Sequence, residues 1–521
     1  MNSMDRTTHL ARMKNESFDV LVIGGGATGT GAAFDAATRG LKVALVEAGD
    51  FASGTSSRST KLVHGGVRYL ESAVAHLDRA QFHLVREALS ERATLLAIAP
   101  HLVHALRTVV PVYSLKDALF YRFGLWLYDR AAGYASLGRS HYLSRKAMLE
   151  SFPALRRKGL RGGVAYYDGQ FDDARMNVTL AASAAEAGAA LANYVSVTGL
   201  REQDGRLCAT TARDMIGGGD IEIKARVIIN ATGPFSDSVR RMESTDITPL
   251  LEPSRGTHLA FDRQWAPGDD ALLIPRTPDG RVLFFIPWEG AAIAGTTDVA
   301  ASAARVPMPS AEEEAYLFKQ LAGWFDPAPQ PGDLRASWAG LRPLVVQAGR
   351  EGGTKNLVRE HHIEVGAKGL VTIAGGKWTT YRLMAEEVVD RAVKEGGLSA
   401  DICRTRETPL LGASDYRPAL AHKLAEKFDL AADIAAHLAH AYGTRAEAVL
   451  ALAPGARDER LAGGYPYVAA EVVWAARQEM AQGAEDVLAR RLRLAFIDAA
   501  AARKARPRVE QLLKNCAGQG N

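Results

Sequence analysis

The chain has little cysteine: three in 521 residues, Cys208, Cys403 and Cys516, far apart and without a CxxC spacing or a neighbouring histidine. They support neither a disulfide framework nor a zinc site, no other metal is expected, and so few thiols fit a reducing compartment. Charge of one sign is also lacking, because 63 Lys and Arg face 59 Asp and Glu for a formal charge of +4. The basic residues are dispersed rather than massed, which argues against nucleic acid as a partner. Long apolar runs are absent too. No stretch of about 18 uncharged apolar residues is found, so no segment is expected to cross a bilayer, although the chain can still lie on one. The first sixteen residues are polar, lack the apolar segment of a signal peptide and read as a frayed tail.

What is present is ample core material, 47% hydrophobic with 23% charged residues, the balance of a globular protein. The length exceeds the roughly 250–300 residues at which single cores split, so two or three domains are expected.

The most informative stretch is Val22 to Gly40, VIGGGATGTGAAFDAATRG. An apolar strand, Asp19 to Ile23, runs into Gly24-Gly25-Gly26 and then into a helix from Ala27 to Arg39, ended by Gly40. Gly24 permits the tight turn, Gly26 lets backbone amides approach a pyrophosphate, and Gly29 lets the helix pack closely on the sheet, with Gly31 extending that packing. The helix offers its first amides and the positive end of its dipole to the diphosphate. A second strand, Leu41 to Val46, ends at Glu47, whose carboxylate can accept both hydroxyls of an adenosine ribose. No arginine follows closely, which disfavours a phosphorylated ribose. Glycines at this spacing also occur in ordinary structural turns, but strand, glycines, helix, strand and acid in this order read as a dinucleotide cradle.

Further along, a serine-rich loop, Phe51 to Thr60, leads into Lys61-Leu62-Val63-His64-Gly65-Gly66-Val67-Arg68-Tyr69-Leu70, with helix expected to about Ala99. The aromatic stretch Tyr121 to Tyr134 has helical spacing and reads as core, with a wall of the substrate domain as the alternative. The Ala-rich run Met176 to Ala192 reads as helix, followed by strands near Tyr194 to Leu200, Leu207 to Arg213 and Ile221 to Ile223. The strand Arg226 to Asn230 meets Ala231-Thr232-Gly233-Pro234, a small-residue turn suited to close passage by a cofactor. Residues 250 to 335 alternate in strand fashion, as at Val282 to Ile286 and Ala292 to Gly295, and read as a mainly β substrate domain. A further strand, Leu370 to Ile373, enters Ala374-Gly375-Gly376-Lys377 and a helix to about Lys394, repeating the cradle logic. Beyond Leu410 the composition is helical. Within Ala484 to Asn515 eight Lys or Arg face four Asp or Glu, which reads as a solvated basic face, with a membrane or partner contact as the alternative.

The glycine segment through Arg39-Gly40, together with Gly375-Gly376-Lys377-Trp378-Thr379-Thr380-Tyr381-Arg382-Leu383-Met384-Ala385, resembles the two signatures of the FAD-dependent glycerol-3-phosphate dehydrogenases. Matching islands are Lys61 to Leu70, Asn230 to Gly233, Gly295-Thr296-Thr297-Asp298, Ala339 to Leu344 and Asp486 to Phe496, so the resemblance covers nearly the whole chain after about residue 17. It implies a D-amino-acid oxidase-like α/β fold: a Rossmann-type FAD-binding domain split over 17–80, 151–245 and 336–396, a helical and aromatic insertion at 81–150, a β-rich substrate domain at 246–335 and an α-helical C-terminal cap at 400–521. The activity implied is oxidation of sn-glycerol 3-phosphate to dihydroxyacetone phosphate, with electrons passed to membrane quinone. The implied location is peripheral, on the inner face of the cytoplasmic membrane, with a homodimer left open.

By the same resemblance the cofactor is held by Gly24, Gly26, Ala27, Thr28, Gly29, Glu47, Ser56, Ser57, Lys61, His64, Gly65, Gly66, Ala231, Thr232, Gly233, Gly340, Gly375, Gly376, Lys377 and Thr379. Arg68, Tyr69, His258, Arg342, Arg359 and Lys377 line the substrate pocket, with His258, Arg342 and Lys377 in catalytic roles. Arginine's planar fork suits a phosphate or alkoxide, although isolated arginines are usually surface residues. An imidazole can take the alcohol proton, so His258 is the candidate base, with a structural histidine as the alternative. Lys377 offers charge where the reduced flavin becomes negative. The rival readings are an oxygen-using oxidase on the same fold, a flavin-bearing binding protein without turnover and, less favoured, a nicotinamide enzyme.

Overall fold

The computed structural model describes residues 4–66, 79–275, 277, 282–346 and 361–518. The apolar run before the glycines forms the strand Ser17–Ile23, whose last four residues are buried, as expected of a strand covered on both faces. It pairs in parallel with Val43–Val46 on one side and Asp220–Asn230 on the other. Leu370–Gly375 extends the parallel sheet beyond Asp220–Asn230, and Ala190–Ala192 beyond Val43–Val46. Distant segments of the chain thus meet in one sheet, as the two glycine motifs require. The strands expected at Ile221 to Ile223 and Arg226 to Asn230 are two halves of one long strand, and the hairpin Val195–Gln203 with Arg206–Asp214 is attached to its first half.

Helices Ala27–Thr38, Asp173–Glu186 and Tyr381–Gly396 cover this sheet. A Cβ on Gly31 would stand 2.9 Å from the Tyr381 ring and 3.1 Å from the Ala385 Cβ, so the first and third helices pack through a bare backbone. The Ala-rich run does not stay helical to Ala192. The helix stops at Glu186, Gly188 turns the chain with φ +102°, and Ala190–Ala192 becomes the edge of the parallel sheet. Alanine's helix preference, under 1 kcal/mol per residue, yields there to strand pairing.

Among the described residues a second sheet of ten strands gathers Leu251–Asp262, Ala271–Ile274, Leu283–Trp288, Ala291–Gly295 and Leu334–Val345, but also Leu62–Val63, Val103–Val112 and Gly162–Phe171 from earlier in the chain. The strand Leu251–Asp262 lies between Ala291–Gly295 and Leu334–Val345, setting His258 opposite both Gly295 and Trp338.

Residues 420–518 are mainly helical as expected, with a core of their own around Leu424, Leu438, Val449 and Trp474. A second cluster joins Val487, Leu488, Leu492 and Phe496 to Leu62, Ile286, Ile293 and Trp338 of the second sheet.

Three expectations are corrected. Residues 4–16 are not frayed: Arg6–Asn15 is a helix capped by Asp5, with Leu10 and Met13 buried and Arg6 paired to Asp214 at 2.5 Å. The basic stretch at 484–515 is not simply solvated, because Arg490, Arg491 and Arg493 are buried in ion pairs. The aromatic stretch is only half core: in the helix Leu115–Ala132, Leu125 and Tyr128 are buried whereas Phe123 and Trp126 face outward.

The buried arginines join the C-terminal region to the rest. Asp50 accepts from Arg490 at 2.6 Å and Arg491 at 2.7 Å, Glu479 pairs with Arg175 at 2.5 Å, and Arg493 reaches Asp173 at 3.0 Å and Asp172 at 3.2 Å. Burial alone would push the Asp50 carboxyl up, but the two guanidiniums hold it down at about 2. A carboxyl whose pKa is depressed on folding stabilises the fold above its ordinary value and loses that contribution as pH falls toward the folded value. Arg491→Ala, which strips a buried pair of one member, is expected to cost about 3–5 kcal/mol, read as a lowered urea midpoint at pH 7. The gap between variant and wild type should narrow as the pH is lowered from about 4 toward 2.

Candidate functional site

At the carboxyl end of Ser17–Ile23, Gly24 has φ +113°, and a Cβ there would stand 2.5 Å from the Ala231 oxygen. The turns Gly24-Gly25-Gly26 and Ala231-Thr232-Gly233 therefore cross with no room for a side chain. A Cβ on Gly29 would lie 1.9 Å from the Gly24 oxygen, and one on Gly26 would lie 2.9 Å from Ser56 Oγ. The helix starting at Ala27 presents its first turn to this bare surface, with Thr28 half-buried beside it and Ser56 Oγ accepting from the Ala27 amide at 2.9 Å. Glu47 lies at the end of Val43–Val46, and its two oxygens accept from Gly25 at 2.7 Å and Gly49 at 2.8 Å. Burial pushes its carboxyl up while these amides oppose the shift. A carboxylate has about four acceptor directions, so capacity is left for ribose hydroxyls. A close-approach turn, an N-terminal helix dipole and a half-buried acid together fit the pyrophosphate and adenosine of FAD.

The second glycine motif completes the cradle. Gly375 and Gly376 both have positive φ, and Lys377 follows half-buried at the start of the turn Trp378–Thr380. Thr379 Oγ1 accepts from the His64 amide at 3.1 Å, which ties the His64-Gly65-Gly66 segment to this motif. The Gly65 amide donates to Tyr128 Oη at 2.8 Å.

Between the two sheets runs the loop 55–61, and nearly every part of the site touches it. Thr55 Oγ1 donates to the Leu341 oxygen at 2.6 Å, Arg58 donates to the Ala339 oxygen at 3.2 Å, and a Cβ on Gly340 would lie 2.8 Å from the Arg58 Cβ. The Trp378 indole donates to the Ser56 oxygen at 2.9 Å. Asp173 Oδ2 accepts from the Ser59 amide, the Ser59 hydroxyl and Lys61 Nζ at 2.7–2.9 Å, while the Ser57 oxygen accepts from Lys61 and Arg493. Lys61 is fully buried, with its ammonium 4.5 Å from the Trp338 ring centre and 5.2 Å from that of Trp288. Burial pushes that ammonium down to about 7 despite Asp173. Lys61, expected at the cofactor, has its side chain committed to this box.

His258 has its ring stacked on Trp338, with centroids 4.1 Å and planes 14° apart, and the Gly295 backbone leaves no room for a Cβ beside it. Its Nε2 is 2.9 Å from Thr60 Oγ1, and its Nδ1 has no hydrogen-bond partner among the described residues. Burial pushes the imidazole well below its ordinary pKa, and the charges of Lys61 and Arg342 add to that. Arg342, on the neighbouring strand, donates through Nη2 to Thr296 Oγ1 and the Thr297 oxygen, both at 3.1 Å, with Asp298 3.6 Å from Nη1. Arg68, Tyr69 and Arg359 lie outside the described residues.

The sequence reading passed over Thr60, Asp173, Trp338 and Arg493. Asp172-Asp173 ahead of an Ala-rich helix signals an N-cap, and Asp172 does cap that helix, but nothing local shows that Asp173 is the counter-ion of a lysine.

Residues 19–391 match the family model described as FAD dependent oxidoreductase, and 403–519 match the C-terminal domain of alpha-glycerophosphate oxidase. The chain is 44% identical to a mitochondrial glycerol-3-phosphate dehydrogenase of Rattus norvegicus over 98% of its own length and 72% of the relative's. It is 46% identical to a probable mitochondrial glycerol-3-phosphate dehydrogenase of Caenorhabditis elegans, covering 96% of this chain and 70% of that protein. Among solved structures, the glycerol-3-phosphate dehydrogenase of Bacillus halodurans complexed with FAD superposes with a TM-score of 0.81 at 29% identity, covering 99% of this chain and 94% of that one.

Gly26→Val places branched carbon against Ser56 and is expected to yield a colourless protein, checked by the flavin absorbance of the purified variant. Arg342→Lys should stay yellow yet lose most turnover, since a point charge cannot reproduce a planar fork. Wild-type kcat in that variant would remove Arg342 from the chemistry.

Proposed function

The chain belongs to the FAD-dependent glycerol-3-phosphate dehydrogenase family, and from that premise we propose how its own residues oxidise glycerol 3-phosphate. Turning a secondary alcohol into a ketone removes a hydride from carbon and a proton from oxygen. When bound, FAD supplies the hydride acceptor. The residues that would hold it are those of the two glycine turns, the first turn of Ala27–Thr38 and Glu47.

The proton is left to the protein. The single observation that carries this reading is the placement of His258, whose Nε2 lies 2.9 Å from Thr60 Oγ1 with Arg342 on the adjacent strand. Burial, Lys61 and Arg342 disfavour the imidazolium, a cost that the negative charge of a phosphate substrate beside it would offset. Its Nε2 is joined to the half-buried Thr60 hydroxyl, so the proton passes from substrate oxygen to Thr60 Oγ1 as the Thr60 proton passes to Nε2. Arg342 stands on the adjacent strand and orients the phosphate or the developing alkoxide. Lys377, in the turn that follows the strand Leu370–Gly375 of the other sheet, would supply positive charge to the reduced cofactor.

Membrane quinone is the electron acceptor in this proposal, with the enzyme peripheral on the inner face of the cytoplasmic membrane. Peripheral rather than spanning contact is supported by the helices, none of which among the described residues is long and apolar enough to cross a bilayer.

Anaerobic addition of glycerol 3-phosphate to the purified yellow protein should bleach its flavin absorbance. A flavin that stays oxidised would point to a binding protein without turnover, and stoichiometric peroxide in air would point to an oxidase. His258→Gln should slow flavin reduction by about 10²-fold or more, the usual weight of a general base, with a much smaller change in substrate binding. Rapid-mixing reduction at the wild-type rate would exclude His258 as the base.

A further inference from the structure

The strand Ala291–Gly295 ends against His258, and the three residues after it surround Arg342. Arg342 donates to Thr296 Oγ1 and to the Thr297 oxygen, and Asp298 stands 3.6 Å from its Nη1. The guanidinium lies over bare backbone, since a Cβ on Gly256 would stand 2.4 Å from Nη2. One short segment, 295–298, thus abuts the candidate base at one end and holds the arginine along the rest. Sheet pairing does not fix its middle, because the ladder on Leu251–Asp262 stops at Gly295 and resumes only at Val299–Ala300. Residues 301–309 beyond it form neither helix nor strand.

What fixes the segment is the Thr297 side chain. It is 1% exposed, and its hydroxyl accepts from the Thr257 amide at 2.9 Å and donates to Glu313 Oε1 at 2.7 Å. The first bond ties it to the residue before His258, and the second ties it to the helix Ala311–Trp324, which packs on the same strand. Glu313 is the third residue of that helix and belongs to its capping box: Ser310 Oγ accepts from the Glu313 amide at 3.3 Å, and Glu313 Oε2 accepts from the Ser310 amide at 3.2 Å. A capping box needs only that exchange. Glu313 does more, because it is 4% exposed, Arg255 stands 2.7 Å from Oε2, and Oε1 is given over to Thr297. A buried carboxylate is tolerated only when paired and hydrogen-bonded, so neither the acid nor the hydroxyl it holds is free to swing away.

We propose that Thr297 and Glu313 are positioning residues for the oxidation: the Glu313 carboxylate fixes the Thr297 hydroxyl, and Thr297 in turn fixes the backbone oxygen on which Arg342 is aimed. Both act through Arg342. The proposal rests on the reading that Arg342 acts on glycerol 3-phosphate, and names what keeps it in place. Misplacement of a positioned group by about 1 Å can cost about 10²-fold, so a loosened segment is felt in the rate.

The test follows anaerobic flavin reduction by glycerol 3-phosphate in the yellow holoenzyme. Thr297→Val, which keeps the shape and removes the hydroxyl, should retain flavin and lower the second-order rate constant of reduction by about tenfold or more. Thr297→Ser, which keeps the hydroxyl, should stay within about twofold of wild type. In an Arg342→Lys background Thr297→Val should cost less than about twofold further, since residues that act as one unit are not additive. Ser310→Ala strips the cap of the same helix without reaching 295–298, and should lower the urea midpoint while flavin reduction stays within about twofold of wild type. If Thr297→Val loses its flavin, Thr297→Ala, which puts no second methyl against the carboxylate, takes its place.

Arg342→Lys that reduces its flavin at the wild-type rate sinks the assignment of Arg342 and this inference with it. A slow Arg342→Lys beside a Thr297→Val at the wild-type rate sinks the inference alone. A full tenfold loss for Thr297→Val on top of Arg342→Lys, an equal loss in Ser310→Ala, or loss of flavin from both Thr297→Val and Thr297→Ala assigns the pair to the fold and overturns the proposal.

Discussion

The site depends on one buried carboxylate. Asp173 accepts from the Ser59 amide, the Ser59 hydroxyl and Lys61, which pins the loop 55–61 at three points, and from Arg493, which ties it to the C-terminal region. That loop touches the first glycine turn through Ser56, the second glycine motif through the oxygen that receives the Trp378 indole, the second sheet through Thr55 and Arg58, and His258 through Thr60. A flexible connection there would let cofactor half and substrate half drift apart. Catalysis by positioning loses heavily on displacements of about 1 Å, so a rigid hinge between two sheets is what hydride transfer requires.

Rigidity of this kind has an electrostatic cost. Lys61, Arg491 and Arg493 are almost wholly removed from water, and a buried ion is tolerated only when paired and hydrogen-bonded. Pairing alone does not keep Lys61 at its ordinary pKa, whereas the aromatic walls of Trp288, Trp338 and Phe496 add a favourable quadrupole beside its charge. The same positive neighbourhood disfavours a charged His258, so the groups that hold the loop also set the protonation state of the candidate base. Structural and chemical demands therefore fall on the same few residues. The C-terminal helices take part in this, since Arg493 and Phe496 come from them.

Much of the cofactor half was legible in the sequence because its constraints are local. A turn that leaves no space for a Cβ must be glycine, and strand, turn and helix follow one another within some twenty residues. The substrate half was legible as strands and, through resemblance, as His258 and Arg342. It was not legible as a constellation, because Thr60 meets His258 across nearly two hundred positions and Asp173 meets Lys61 across more than a hundred. The aromatic helix shows the limit of periodicity. Spacing said that residues near 121–134 share faces, but Phe123 and Tyr128 are both aromatic, and only the neighbouring sheet and the partners it brings to the Tyr128 hydroxyl determine which one is covered. The basic stretch near 490 misled for the complementary reason: arginines look like surface until acids from far along the chain, Asp50 and Asp173, are found beside them.

The sequence by itself determined the dinucleotide cradle, the parallel strands that flank it and the helical end of the chain, because backbone sterics and short-range periodicity need no partner to act, whereas FAD in particular was implied by the resemblance. Only the tertiary structure decided which charges are buried, which histidine nitrogen has a partner and which aromatic face is left to the outside. Those properties belong to pairs of residues rather than to residues, and a pair exists only once the two sheets and the C-terminal helices have closed around loop 55–61.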